Sequence, residues 1–455
     1  MSCLTRRGYR IDRTDETSKY IEELTLHPEE QSRNSYNDFK EPVLAYRKTK
    51  SYIFVPRHYG YLEFGKPDYD KTGEGEPIEL KFNGSLRDYQ LEVIDKTKPA
   101  LEDETKQGGI WALGTGTGKT VISLYFLSEI VKRKTIILVH KEFLLDQWIE
   151  RIEQFLPGAR VGIIRQKKIE IEDKDIVIGM IQSVSMKKYP KETFDSFGLL
   201  IIDECHYVCS KTFSKALFKI QPRYKLGLSA TPDRKDGLTK LLIYHLGPII
   251  HRMSSTILDP DIEFLYTKQT FTEEVDFRGR TSIQKLISSL TENDERNSKI
   301  IRRLVKLCEE NRKTIVFCHR VNHCFRLRKM LQAVSKFKGG TFAGKMKKEE
   351  KEEAKRQQVI FATYSMCTDA FDCPALDSCI FATPKSDVVQ ATGRILRKKN
   401  ENGPLVIDVV DDNGIFKAQY YKRRKWYKSK GYDFVNDKKK EVKGQKKINK
   451  FLIKK

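Results

Sequence analysis

GGIWALGTGTGKTVISLYFLSEIVKR, residues 108–133, decides the fold. A short apolar run, GGIWAL, ends in a glycine-rich loop, LGTGTGKT (113–120), and the loop opens into a stretch with helical spacing of apolar residues. Strand, loop and helix in that order suit a phosphate. Gly114, Gly116 and Gly118, with Thr115 and Thr117 between them, let backbone N–H groups turn inward, and the helix N-terminus faces negative charge. Lys119 is then placed to contact β- and γ-phosphates, and Thr120 to hold Mg²⁺. The strict pattern has Gly where this chain has Leu113. Alone, such a loop can be a chance run of glycines.

Downstream, LLIIDECH (199–206) puts Asp203 and Glu204 directly after a fully apolar strand. A carboxylate at a strand's C-terminal end reaches Mg²⁺ held by Thr120, and the adjacent Glu204 can orient the attacking water or accept its proton. Acidic turns at strand ends are common. One that follows a phosphate loop by a sheet's length reads as the other half of an NTPase site.

The surrounding grammar is that of parallel sheets. TIILVH (135–140), DIVIGM (175–180) and YKLGLSA (224–230) are β-branched-rich runs separated by helical stretches, which predicts βαβ units. The pattern returns in TIVFCH (314–319), GTFAG (340–344), QVIFAT (358–363), SCIFAT (378–383) and PLVIDVV (404–410), so two α/β sheets stand in tandem. IQKLISSLTENDERNSKIIRRLVKLCEE (283–310) reads as an amphipathic helix broken or bent near Asn293. Residues 1 to about 40 are polar, with one short possible helix, and VLAYRKTKSYIFVPRHYGYLEFG (43–65) reads as short strands. The expected divisions are an accessory module over 1–78, domains over 79–250 and 251–412, and a basic extension over 413–455.

The formal charge of +23 over 455 residues points to a polyanionic partner, although ribosome-associated and membrane-surface proteins share such a balance. Residues 421–455 hold 15 Lys or Arg against 3 Asp or Glu, about half of that surplus. There, RRKWYKSKGYDF (423–434) mixes cations with aromatics and reads as an auxiliary nucleic-acid contact; a solvated helix face is the plainer alternative. The opening MSCLTRRGYR has no apolar signal region, and no run approaches the ~20 apolar residues of a membrane span. A soluble, intracellular, reduced protein without membrane partners is expected. Cys205, His206 and Cys209, or Cys318, His319, His323 and Cys324, lack the paired arms of a zinc site, so they read as ordinary thiols and histidines.

The order LRDYQ (86–90), LGTGTGKT, DECH (203–206), SATP (229–232) and QATGRILR (390–397) resembles helicase superfamily 2 over roughly residues 79–412. The resemblance implies an α/β fold of two tandem RecA-like P-loop NTPase domains using ATP and Mg²⁺. It places Tyr89 and Gln90, supported by Arg87, at the adenine, and Ser229, Ala230 and Thr231 in the motif linking nucleotide state to strand engagement. Gln390, Gly393, Arg394 and Arg397 match the motif that supplies arginine fingers. Fixed guanidinium groups stabilise a γ-phosphate in transfer, and their placement on a second domain would turn hydrolysis into stepping. TDAFDCP (368–374) resembles the motif that usually has Gly before Phe-Asp; Ala370 departs from it, and Asp372 falls near the ribose. Backbone contacts implied in the same way are His140 and Lys141, Gln182 and Ser183, His319 and Arg320, and Thr363 and Tyr364.

LSATPDRKDGL (228–238) and FATYSMCTDAFDCPALDSCIFATP (361–384) are similar to the DNA-directed branch containing XPB and UvsW. They most resemble the transcript-release helicases of poxviruses and other large DNA viruses, as does YIFVPRHYGYLEFG (52–65). The implied function is an ATP-driven DNA helicase or translocase in transcription, recombination or repair. Its expected partners are single-stranded, duplex or hybrid nucleic acid and a transcription or replication complex. It is expected to be a monomer and, if viral, to lie in host cytoplasm or virion. An RNA-stimulated DECH-box ATPase and a non-hydrolysing nucleic-acid clamp are the alternatives.

Overall fold

The computed structural model describes residues 1–28, 41–114, 116–190, 192–234, 236–253, 258–271, 282–344, 346–367, 373–396 and 402–435. The chain divides into two compact units, Met1–Ser254 and Ser255–Lys455.

The first unit is built on an eight-stranded sheet in the order Lys168–Ile169, Val161–Arg165, Ile176–Met180, Thr135–Val139, Leu199–Ile202, Tyr224–Ser229, Gly108–Leu113, Ile249–Met253. Every pairing is parallel except that of the short Lys168–Ile169 strand. The central strands are buried on both faces: Ile136, Leu138, Leu200 and Ile202 enter one core, while Ile137, Val139, Leu199 and Ile201 enter the other. That two-sided burial is why these segments read as continuous apolar runs rather than alternating ones.

The N-terminal part adds a five-stranded sheet in the order Arg47–Lys48, Tyr52–Val55, Gly8–Asp12, Cys3–Thr5, Tyr69–Asp70. Its Leu4, Tyr9, Ile53, Val55 and Tyr59 pack into the same core as Ile136 and Leu200. Two readings need correction here. The polar opening contains strands at Cys3–Thr5 and Gly8–Asp12, in which Tyr9 and Ile11 turn inward while Asp12 stays exposed. RHYGYLEF is a helix, Arg57–Phe64, and not a strand. Its first four residues, Arg57 to Gly60, are all buried, so neither a two-residue nor a 3.6-residue period shows. Gly60 is required at its place: a Cβ there would lie 2.3 Å from Cγ of Tyr9.

The second unit carries a six-stranded parallel sheet in the order Asp261–Tyr266, Leu405–Val410, Ser378–Phe381, Thr314–Cys318, Val359–Thr363, Gly339–Phe342. Its helical prelude breaks where the sequence marks it. Asn293 ends the helix Ile283–Glu292 and caps Asp294–Glu309, its Oδ1 accepting from the Arg296 N–H at 2.8 Å.

The C-terminal aromatics join the second unit's core. On the helix Gly414–Ser429 Tyr427 is fully buried, and Trp426, with Tyr432 and Phe434 after the helix, packs partly buried against the same core. Neither of the sequence-based alternatives anticipated this, because a core helix rich in Lys and Arg hides its apolar stripe. Residues 436–455, with the Lys-rich tail, lie outside the described residues.

Candidate nucleotide site and strand-end residues

In a parallel sheet all C-terminal strand ends share one edge, and loops there build sites. On the first unit, Tyr224–Ser229 lies between Gly108–Leu113 and Leu199–Ile202, so the glycine loop, SATP and DECH leave neighbouring strands. Gly116 and Gly118 have φ of +85° and +83°, the left-handed region that glycine reaches without cost. Gly118 also has no room for a side chain: a Cβ would lie 2.5 Å from Nε2 of Gln90.

Gln90 holds the loop from outside. Its Nε2 donates to the Thr117 carbonyl at 3.1 Å, while its Oε1 accepts from the Arg87 N–H at 3.0 Å, closing the N-terminus of the helix Asp88–Glu102. Tyr89 is half-buried beside it, its hydroxyl 3.3 Å from Nη1 of Arg87. Thr117 Oγ1 donates to Gly114 O at 2.9 Å. Lys119 and Thr120 open the helix Lys119–Tyr125, and Thr115 lies outside the described residues.

Lys119 Nζ donates to Leu113 O at 3.3 Å and stands 3.4 Å from Oε1 of Glu204. Asp203 is buried and accepts from Trp148 Nε1 and from the Glu204 N–H, each at 3.0 Å. The two carboxyls are pushed apart. Burial, then the charge of Glu204, raises Asp203 to about 6. Burial also opposes the ionised form of Glu204, but Lys119 and then His206 outweigh it and hold Glu204 below the ordinary range. Glu204 reaches its place through a left-handed backbone, φ +48°, a conformation that non-glycine residues adopt when the surroundings enforce it.

These residues fit a nucleotide with Mg²⁺. Oε2 of Glu204 is buried without a hydrogen-bond donor, and Asp203 is an acid whose charged form a nearby cation would favour. Among the described residues no cluster of three His, Cys, Asp or Glu could hold a metal by itself. Mg²⁺ is bound by one or two carboxylates plus substrate phosphates, a set to which Asp203 would contribute.

The site continues through motif residues and through Tyr207, which sequence patterns did not assign. His206 Nδ1 lies 2.9 Å from Ser229 Oγ and 3.4 Å from Oε2 of Glu204, and Ser229 Oγ accepts from the Thr231 N–H at 3.1 Å. Tyr207 stacks on His140 with centroids 3.8 Å apart and lies 4.4 Å from the His206 ring. Gln182 Nε2 in turn donates to His140 O at 2.7 Å. Trp148 and Tyr207 are spelled as ordinary aromatics, and only the tertiary fold makes them neighbours of the carboxylates.

Among the implied backbone contacts, the structure separates buried from open groups. His140 is buried behind Tyr207, and burial lowers its pKa to about 4, so it is neutral at pH 7. Lys141 and Ser183 are half-buried; Ser183 Oγ accepts from the Gln166 N–H. On the second unit His319 and Arg320 are exposed at a strand end. Thr363 and Tyr364 are not: Tyr364 stacks on Phe317 and donates to Thr383 O at 2.8 Å, serving the core. Gln390 and Gly393 lie on and just after the helix Val389–Thr392, and Arg394 is buried next to it. Arg397 and Asp372 lie outside the described residues, as do residues 368–371.

The His140–Tyr207–His206 stack links a strand-end group to the Glu204 side chain, which gives an expected result. Tyr207→Ala should keep basal ATP turnover and lose about three- to tenfold of its stimulation by nucleic acid, the worth of an aromatic pair. Tyr207→Phe should retain stimulation. Equal stimulation in all three proteins, in a steady-state ATPase assay, would remove Tyr207 from the coupling.

A family model described as "Type III restriction enzyme, res subunit" matches residues 83–234. A protein of Acanthamoeba polyphaga mimivirus, provisionally named an ATP-dependent RNA helicase, is 32% identical over 94% of this chain and 86% of its own length. A protein of African swine fever virus with the same provisional description is 27% identical over 78% of this chain and 74% of its own. A provisionally named helicase of Invertebrate iridescent virus 6 is 28% identical over 78% and 83%. The crystal structure of T4 UvsW aligns with 95% of this chain and 98% of its own at 17% identity and a TM-score of 0.37.

Proposed function

The chain belongs to the superfamily 2 helicases, in the group of large-DNA-virus proteins to which it is similar, and from that premise we propose that it is an ATP-driven motor that moves along DNA and remodels or unwinds it. The observation that carries this reading is the meeting of Lys119 with Glu204 at 3.4 Å beside the buried Asp203, all at one sheet edge.

The chemistry follows from those groups. Loop N–H groups and Lys119 hold the phosphates of ATP, and Gln90 fixes the loop while Tyr89 borders the base. Asp203 and Thr120 would hold Mg²⁺, which would supply Lewis-acid stabilisation of phosphate charge. Glu204, kept ionised by Lys119, aligns the attacking water and takes its proton. Arg394 and Arg397 are the candidate guanidinium donors for γ-phosphate charge, with Gln390 a polar member of the same motif. His319, Arg320 and Lys141 contact the sugar–phosphate backbone, so binding is indifferent to base identity and weakens with salt.

DNA is favoured by the likeness of LSATPDRKDGL to the DNA-directed branch, and a role in viral transcript release, recombination or repair accords with it. The RNA reading has its own support, since two viral relatives carry the name RNA helicase. ATP turnover with single-stranded, duplex and forked DNA, RNA and DNA–RNA hybrid decides between them. Strongest stimulation by a DNA-containing strand is expected. Stimulation by RNA alone would replace the DNA reading, and turnover with no stimulation by any polymer would leave a clamp.

A further inference from the structure

A second basic surface lies on the opposite edge of the first unit's sheet. A groove of about 1180 Å³ runs between the N-terminal sheet and the motor sheet. Its floor includes Phe197, Gln221 and Pro222, which precede the strands Leu199–Ile202 and Tyr224–Ser229. Since Lys119 and Glu204 sit at the other ends of neighbouring strands, this groove is separate from the nucleotide site.

Ten Lys and Arg side chains line the groove against two carboxylates, those of Glu192 and Asp195. Arg6 takes Asp195 as its ion-pair partner. Four of the other cations, Arg7, Arg10, Arg47 and Lys219, are held by rings or carbonyls rather than by acids. Arg10 lies over Tyr52 at 4.5 Å, Arg47 over Phe218 at 4.9 Å, and Arg7 over Phe54 at 5.8 Å. A guanidinium stacked on a ring keeps its N–H edge free for a planar or tetrahedral oxyanion. Lys219 donates to the carbonyls of Val184, Ser185 and Lys187 at 2.6–2.7 Å. Burial, followed by the like charges of Arg47 and Lys215, lowers Lys219 to about 8. Like charges are crowded here, with only two carboxylates in the lining to balance them.

We propose that this groove binds the sugar–phosphate backbone of a nucleic-acid strand at a point away from the motor track, so that the N-terminal sheet and the motor sheet grip the polymer together. The proposal rests on the reading of the chain as a nucleic-acid motor. The volume exceeds the roughly 300–1,000 Å³ of a typical small-ligand pocket, and the groove is open to solvent along a lining of repeated cations. Arginines already lie over three of the lining rings, Tyr52, Phe54 and Phe218, which limits base stacking there. Backbone recognition without sequence preference follows.

Lys48, Lys188 and Lys215 are exposed and have no ion pair among the described residues, so their reversal tests the groove with little risk to folding. The protein to compare is the full chain with Lys48→Glu, Lys188→Glu and Lys215→Glu together. Its binding to a labelled strand or duplex of about 40 nucleotides should weaken at least about tenfold at low salt, and the slope of log affinity against log salt should flatten by about 2 to 3. Turnover at saturating short oligonucleotide should remain that of the wild type, and the triple Lys→Arg variant should bind normally. Wild-type affinity and slope in the Glu variant would overturn the proposal. So would equal nucleic-acid binding by both proteins with poly-glutamate bound by the wild type and lost in the Glu variant, which would mark an acidic protein partner. A wild-type chain whose turnover no polymer stimulates would instead defeat the motor reading, a result distinct from either.

Discussion

Glu204→Gln is expected to bind ATP about as well as the wild type and to turn it over about two to four orders of magnitude more slowly. The amide keeps the carboxylate's size and one acceptor oxygen, so the turn at φ +48° and its neighbours persist. What it loses is the ability to accept a proton. The change also removes a negative charge that raises Asp203, so Asp203 becomes a better anion and its hold on a cation is not weakened. Lys119 loses its partner at 3.4 Å yet keeps its contact with Leu113 O and remains available to phosphate. Lys119→Ala differs in kind: it should weaken both affinity and turnover, because its charge serves the bound and reacting states alike. Fluorescent-nucleotide binding beside steady-state ATPase separates the two variants. Wild-type turnover in Glu204→Gln would end the role given to that carboxylate.

The parts of this chain that sequence patterns made legible are those under one dominant constraint. The strands Thr135–Val139, Ile176–Met180, Leu199–Ile202 and Thr314–Cys318 are buried on both faces, so their spelling is apolar throughout and survives translation into structure almost residue by residue. Asn293 is equally plain, since it must end one helix and cap the next. The helix Arg57–Phe64 was opaque because burial on several sides erased its period. The strands Val161–Arg165 and Asp261–Tyr266 passed unnoticed for the reverse reason: partial exposure dilutes them with polar residues. Within the site, Lys119, Asp203 and Glu204 announce themselves through local spacing. Trp148 and Tyr207 do not, because an aromatic that orients a carboxylate is spelled like one that fills a core.

The C-terminal helix supplies the other large effect. Asp408, in the strand Leu405–Val410, is fully buried and accepts from Arg423 Nε at 2.8 Å, from Arg423 Nη2 at 2.7 Å and from the Tyr427 hydroxyl at 3.0 Å. Arg423 completes its set by donating to Lys385 O at 2.8 Å. Asp408→Ala would leave a buried guanidinium facing an apolar gap, a loss of about 3–5 kcal/mol. The helix Gly414–Ser429 should then detach from the sheet and expose Tyr427 and Trp426, with its amide exchange faster by a hundredfold or more. Unchanged protection of those amides would show that the aromatic packing alone holds the helix. The pair itself is not expected to be a large net stabiliser, because two desolvated charges recover little beyond their desolvation cost. Replacing the network together, Asp408→Leu with Arg423→Met and Tyr427→Phe, should therefore restore most of the protection lost in Asp408→Ala. The ion pair then acts as a register device: it makes a helix spelled mostly in Lys and Arg seat one face on the second unit's sheet and leave the other in water.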